Sequence, residues 1–297
     1  MQMGNIPVED TYCEAFDGLY AHFLITARDR KRLERAAFAA TALPCTVFGE
    51  SEGGIESWVE PDEAPDERMG AIAQIWVNYG KNAVKKLEYE LGKRIRQGVL
   101  VVPTTSIFDV SGFKEKIDMM NKVGHCGDGY ETTEKRYGRE VINIPLMMGE
   151  FLIERKLSYG KGIMGGNVWF FCENQDVALE AGDRAVEAVD KIEGAITSFD
   201  ICSAGSKVET KYPGIGPTTN HPFCPTCKGR IPDSKVPEGI ESIPEIVING
   251  VDLEAVKKAM RACMDAVSGL DGIQKISAGN YGGKLGKYKI YLKDLVG

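Results

Sequence analysis

"QIWVNYGKNAVKK", Gln74 to Lys86, and "EIVINGVDLEAVKK", Glu245 to Lys258, align with one inserted residue. Each reads as an apolar strand, a turn and an amphipathic helix. Val84, Leu87, Leu91 and Ile95 recur at spacings of three and four in the first helix, as do Val256, Met260, Cys263 and Val267 in the second. That period puts each set on one helical face, where burial is expected. Asp252 stands where an N-cap carboxylate can accept orphan N–H groups of the second helix. Each helix leads to a further expected strand, "GVLVVPTT" in one case and "GIQKISAG" in the other.

A second pair of segments matches by pattern rather than identity. "HFLIT", an Ala-rich helix around Leu33 to Ala42 and "CTVFGE" make one strand–helix–strand unit. "NVWFFCE", a helix from about Asp176 to Ile192 and "ITSFDIC" make another, with Ala178, Ala181, Ala185, Val189 and Ile192 as the buried stripe. The chain therefore reads βαβ–βαβ twice, with the joint near "GREVINIPLMMGEF", Gly138 to Phe151. The expected class is α+β: two ferredoxin-like βαββαβ lobes from an internal duplication, residues 1–148 and 149–297. The term describes topology only, because the four-cysteine spacing of an iron–sulfur cluster is missing. A doubly wound parallel sheet is the alternative, but it normally carries a phosphate-binding glycine turn after its first strand. Between the repeated units, residues 50–70, 124–140 and 203–239 lack periodicity and are expected to be binding loops or linkers.

The composition narrows the class. At 297 residues the chain exceeds one small core and points to two lobes. Lys and Arg number 36 against 43 Asp and Glu, spread along the chain, which argues against a nucleic-acid surface. No run approaches the ~18–20 apolar residues of a membrane span. The opening "MQMGNIPVEDTYCEAF" has neither a basic n-region nor an apolar h-region, so a cytoplasmic protein is expected, its eight cysteines reduced.

"TTNHPFCPTCKG", Thr218 to Gly229, holds His221, Cys224 and Cys227 at metal-ligand spacing. A structural zinc site needs four ligands, and with three histidines in the chain a fourth would have to come from afar, such as Cys202. A redox Cys-x-x-C relies on a helix N-terminus. Gly229, Pro232 and Pro237 prevent a useful helix after Cys227. "SAGNYGGKLGKYKIYL", Ser277 to Leu292, is one residue short of a phosphate loop and has Leu285 where magnesium needs Ser or Thr. It reads either as a glycine turn joining two strands or as a turn whose N–H groups, Tyr281 and Lys284 touch an anionic ligand. Glu245 opens an otherwise apolar strand. It is either a solvated strand end or a partly buried carboxyl whose raised pKa suits general acid catalysis.

Eight strings in order resemble one family: "VEDTYCEAF", "VPTTSIFD", "GDGYE", "GREVINIPLMMGEF", "GSKV", "TTNHPFCPTCKG", "EIVINGVDLEAVKKAM" and "ISAGNYGGKLGKY". They run nearly end to end and are similar to formylmethanofuran:tetrahydromethanopterin formyltransferases. The resemblance implies transfer of a formyl group between the amine of methanofuran and N5 of tetrahydromethanopterin, in archaeal one-carbon metabolism. It implies no metal or prosthetic group, with the two coenzymes as substrates. It also implies two ferredoxin-like lobes, assembly into homodimers or homotetramers, and a site involving both lobes and a subunit interface. On this resemblance Glu245 is the catalytic acid–base or polarising residue. Ser206, Lys207, Asn220, His221, Asn280, Tyr281 and Lys284 are the expected coenzyme contacts. The alternative is a non-catalytic subunit of a formyltransferase/hydrolase-type complex.

Overall fold

Asp29, Asn174 and Asp252 each accept a backbone N–H three residues on, from Arg32 at 3.0 Å, Val177 at 2.9 Å and Ala255 at 2.8 Å. They start three of the four α-helices among the described residues, each cap contributing about 1 kcal/mol. The computed structural model describes residues 1–42, 51–207, 209–216 and 218–296. It is a mixed α+β structure that divides into two compact units, Gly18–Lys161 and Met1–Asp17 with Gly162–Gly297.

The central unit, Gly18–Lys161, takes in most of β1 (Tyr12–Thr26), then α1 (Arg30–Thr41), β2 (Glu52–Val59), β3 (Gly70–Asn78), α2 (Ala83–Arg94) and β4 (Ser106–Asp109). These strands pair antiparallel in the order β4–β1–β3–β2, with His22 opposite Gln74. β5 (Thr132–Arg136), β6 (Arg139–Leu146) and β7 (Gly149–Glu154) follow as an antiparallel meander, and β7 joins β4 in parallel. Leu33, Ala36, Ala37 and Ala40 of α1 and Leu87 and Leu91 of α2 share one core with Phe23, Ile25, Ala73 and Ile75.

Four expectations for this unit change. Val84 is exposed, because α2 begins at Ala83 and the buried stripe runs Ala83, Leu87, Leu91 instead. "GVLVVPTT" is not a strand: Leu91, Ile95 and Val99 keep a spacing of four, and the chain continues into a π-helical turn, Ile95–Leu100. Gly98 permits this close packing, since a Cβ there would lie 2.9 Å from the Ala39 carbonyl carbon. Residues 50–70 contain β2, whose alternation is obscured by Gly53 and Gly54, and residues 124–140 contain β5. "CTVFGE", Cys45 to Glu50, lies outside the described residues.

The terminal unit, Met1–Asp17 with Gly162–Gly297, is entered by β8 (Lys156–Cys172) at Gly162. Then come α3 (Gln175–Val189), β9 (Ala195–Thr197), β10 (Glu245–Gly250), α4 (Leu253–Ala266), β11 (Ile273–Ser277) and β12 (Tyr288–Tyr291). The antiparallel order is β11–β8–β10–β9, and β12 pairs with the start of β1, setting Lys289 opposite Glu14. Side chains alternate faces along a strand. Val168, Phe170, Ile246 and Ile248 pack with Ala181 and Ala185 of α3 and Val256, Met260 and Cys263 of α4. Burial of each large apolar side chain contributes about 1.5–3 kcal/mol. On the other face Trp169 and Phe171 are covered by Phe223, Val236, Ile240 and Ile243. The cover comes from the long stretch 203–243, which among its described residues forms only bridges and 3₁₀ turns. The site lies under this cover.

Candidate active site

Trp169, near the C-terminal end of β8, has Glu245 of β10 opposite it on one side and Ser277 of β11 on the other. Directly paired residues share a face, so all three point into the space beneath the 203–243 cover. The indole N–H of Trp169 donates to Glu245 Oε1 at 2.9 Å. The Glu245 backbone is held by Cys202 through two bonds of 2.9 and 3.0 Å. Burial pushes the Glu245 carboxyl above its usual range, and the opposing bonds from Trp169 and the Cys202 thiol do not reverse this.

Two cavities, of about 560 and 550 Å³, are both lined by Glu245. Trp169, Asn220, Phe223 and Glu245 line both. The first is otherwise mainly apolar, walled by Ala178, Leu179, Ile201, Ile243 and Pro244. The second is polar, with Lys207, Lys235, Lys275, Glu9 and Glu209 on its walls. Lys275 Nζ lies 2.9 Å from Glu9 and 4.3 Å from the centre of the Phe171 ring.

Of the residues read from sequence, Ser206, Lys207, Asn220, Asn280 and Tyr281 line the polar cavity together with Glu245. Lys207 is set by paired backbone bonds to Thr218, of 2.9 and 3.1 Å, and Asn220 by its N–H to Ala204 O at 3.2 Å. Tyr281 Oη donates to Ser206 O at 3.2 Å. Burial, then the Glu245, Glu209 and Glu14 carboxylates, push this phenol up to about 12, so it remains a donor at neutral pH. His221 and Lys284 line neither cavity: His221 Nε2 lies 3.6 Å from Asp233 Oδ2, and Lys284 is exposed.

The glycine-rich turn joins β11 to β12, but its N–H groups already have an anion. Glu14 Oε1 accepts from Tyr281 N at 2.8 Å and Gly283 N at 2.5 Å, and Oε2 from Leu285 N at 2.7 Å and Gly286 N at 2.8 Å. Gly286 is required for the approach, since a Cβ there would lie 2.6 Å from that of Glu14. The expectation that these N–H groups reach an outside ligand is therefore corrected. Asn167 holds the other end of the turn, donating to Gly279 O at 3.1 Å and accepting from Gly279 N at 2.6 Å.

Sequence reading missed Trp169, Asn167, Glu14, Lys235 and Lys275. Asn167 and Glu14 did carry a signal, as polar residues inside apolar strands. Trp169 did not, because its role follows from strand register. The cysteines of "CPTC" are free thiols, and among the described residues no group of three or more His, Cys, Asp or Glu could hold a metal. Burial pushes the Cys13 and Cys172 thiols up to about 12.

Residues 1–146 match the family model described as formylmethanofuran-tetrahydromethanopterin formyltransferase, and residues 149–295 match the model of its proximal lobe. The chain belongs to this formyltransferase family. A formylmethanofuran–tetrahydromethanopterin formyltransferase-like protein of Archaeoglobus fulgidus is 60% identical over 296 residues, covering all of this chain and 98% of that one. The solved formylmethanofuran:tetrahydromethanopterin formyltransferase of Methanosarcina barkeri is 38% identical with a TM-score of 0.91, over 99% of this chain and 100% of that chain. A chain of the formyltransferase/hydrolase complex of Methylorubrum extorquens, solved with methylofuran, is 32% identical, also with a TM-score of 0.91, over 100% and 99% of the two chains. No helix among the described residues is long and apolar enough to cross a membrane.

Proposed function

We propose that this family member is an acyl-group transferase that moves a formyl group between N-formylmethanofuran and N5 of tetrahydromethanopterin, directly, within a ternary complex. The observation that carries this reading is one carboxyl, Glu245, shared by two cavities of similar size. Two bound coenzymes would then meet at one acid–base group. N5 attacks the formyl carbon and gives a tetrahedral oxyanion, which nearby donors such as Asn220 stabilise. Glu245, whose carboxyl burial shifts toward the protonated form, gives a proton to the departing methanofuran nitrogen. The N5 proton returns to the carboxylate, so the group ends as it began. Ser206, Lys207, Asn280 and Tyr281 act as coenzyme contacts in the polar cavity, where Lys207 suits carboxylate or phosphate tails. His221 and Lys284, near the two loops, are proposed contacts at the outer ends of those tails. The reaction needs no prosthetic group on this reading, and the chain works in the cytoplasm as a homodimer or homotetramer.

The same reading takes the chain as two ferredoxin-like lobes, 1–148 and 149–297, from one duplication. Its support is the repeated strand order, β4–β1–β3–β2 and β11–β8–β10–β9, with a helix after the first and third strand of each set. The pair His22 and Gln74 takes the same place in one set as Trp169 and Glu245 in the other.

A second reading, a non-catalytic subunit of a formyltransferase/hydrolase-type complex, is favoured by the "-like" name of the 60% identical relative and by the likeness to the Methylorubrum complex. Purified chain incubated with formylmethanofuran and tetrahydromethanopterin decides between them. Formation of the N5-formyl pterin is expected; binding of both coenzymes without turnover favours the subunit reading.

A further inference from the structure

Glu14 is 4% exposed, yet it lies in the interior of an otherwise apolar strand start and its carboxylate is met by four backbone N–H groups of one loop. All four come from residues 281–286, which have no strand or helix ladder to satisfy them. Gly282 and Gly283, at φ +69° and +76°, supply the left-handed backbone that turns successive N–H groups to one side. The result is an anion nest filled from within the chain. Two residues tie the nest to the site: Tyr281 carries one of the four N–H groups and sends its hydroxyl to Ser206 O, and Asn280 donates to Thr11 Oγ1 and Tyr12 O, each at 3.2 Å.

We propose that Glu14 is a positioning residue of the transfer site: its carboxylate fixes the 280–286 loop so that Asn280 and Tyr281 form a wall of the polar cavity beside Glu245. The inference rests on the proposed transfer reading for its kinetic consequence, but not for its structural one. A carboxylate accepting several backbone N–H groups is strongly favoured in its charged form. Burial alone would raise the Glu14 carboxyl; the four N–H groups outweigh it and hold the carboxyl below its usual range. The tie therefore persists through the neutral range and acts as a fixed structural element. Amide in place of carboxylate sets an NH₂ group against two N–H donors, so Glu14→Gln breaks half of the nest. Glu14→Asp keeps the charge and shortens the arm.

The test combines hydrogen exchange, coenzyme binding and steady-state kinetics on the full chain. In the wild type the N–H groups of Tyr281, Gly283, Leu285 and Gly286 are expected to be protected. Glu14→Gln should lose that protection and raise KM or Kd for at least one coenzyme about ten-fold, with kcat kept within about three-fold. Glu14→Asp, the milder variant should the first not fold, should give the same pattern at about a third of the size. A merely structural role would instead lower thermal stability and the active fraction without moving KM. The inference is overturned if the loop amides lose protection while KM and Kd stay at wild-type values, or if the amides are unprotected in the wild type. Wild-type protein without turnover would contradict the transfer reading alone, since the exchange and binding arms still report on Glu14.

Discussion

Trp169 and Glu245 face each other across β8 and β10, joined by an indole N–H to carboxylate oxygen bond of 2.9 Å. This places the one polar edge of a buried ring against the one carboxyl that both cavities share. Such a donor favours the charged carboxylate, while burial favours the neutral acid. Burial prevails, and Glu245 stays above the ordinary carboxyl range.

Removing the donor should tip the balance further. In Trp169→Phe the carboxyl loses its bond to the ionised form, and its pKa should rise further. If the protonated form gives the proton to the leaving amine, activity falls as pH rises through the Glu245 pKa. That falling limb should move to higher pH in Trp169→Phe. A limb that stays in place, or moves down, separates Trp169 from the titration of Glu245.

The same shift has a consequence for stability. A carboxyl raised in the folded state binds its proton more tightly there than in the unfolded chain. Between the ordinary carboxyl value of 4.5 and its raised folded pKa, the unfolded state holds fewer protons, so stability falls with rising pH. Glu245→Gln should remove this slope. Urea unfolding of both proteins at several pH values above 4.5 reads the difference; parallel curves would mean that Glu245 titrates alike in both states.

Cys227, the second cysteine of the Cys-x-x-C pair, should be dispensable. Cys227 lines neither cavity and is the last residue of a 3₁₀ turn, Pro225–Cys227, its N–H donating to Cys224 O at 2.9 Å. Cys227→Ser should keep turnover within about two-fold, the range usual for a surface change that leaves the chemistry untouched. A loss of about ten-fold or more, or a zinc ion bound stoichiometrically by the wild type and lost in the variant, would bring back thiol or metal chemistry.

Much of the terminal unit was legible because its signals are local. The stripe Val256, Met260, Cys263 and Val267 is buried as its period requires, and Asp252 caps its helix. Helix α3 and strand β11 also follow from their patterns. Periodicity failed where glycine replaced side chains, at Gly53 and Gly54 in β2, and where a helical spacing ran on into a π turn, at Ile95 and Val99. For the site, Glu245 stood out as an acid in an apolar strand. Trp169 could not, because only the register of β8 against β10 sets it opposite Glu245. Glu14 and the turn it fills are some 270 residues apart, a contact that no local pattern encodes.

The most direct test is single-turnover formyl transfer from formylmethanofuran to tetrahydromethanopterin by wild-type protein and Glu245→Gln, with coenzyme binding measured in parallel. Loss of a general acid at the reacting atoms should slow the chemical step by about 10²–10⁴-fold while both coenzymes still bind. A Glu245→Gln protein that transfers the formyl group at the wild-type rate would contradict the role of Glu245, and with it the reading of the two cavities as one active site.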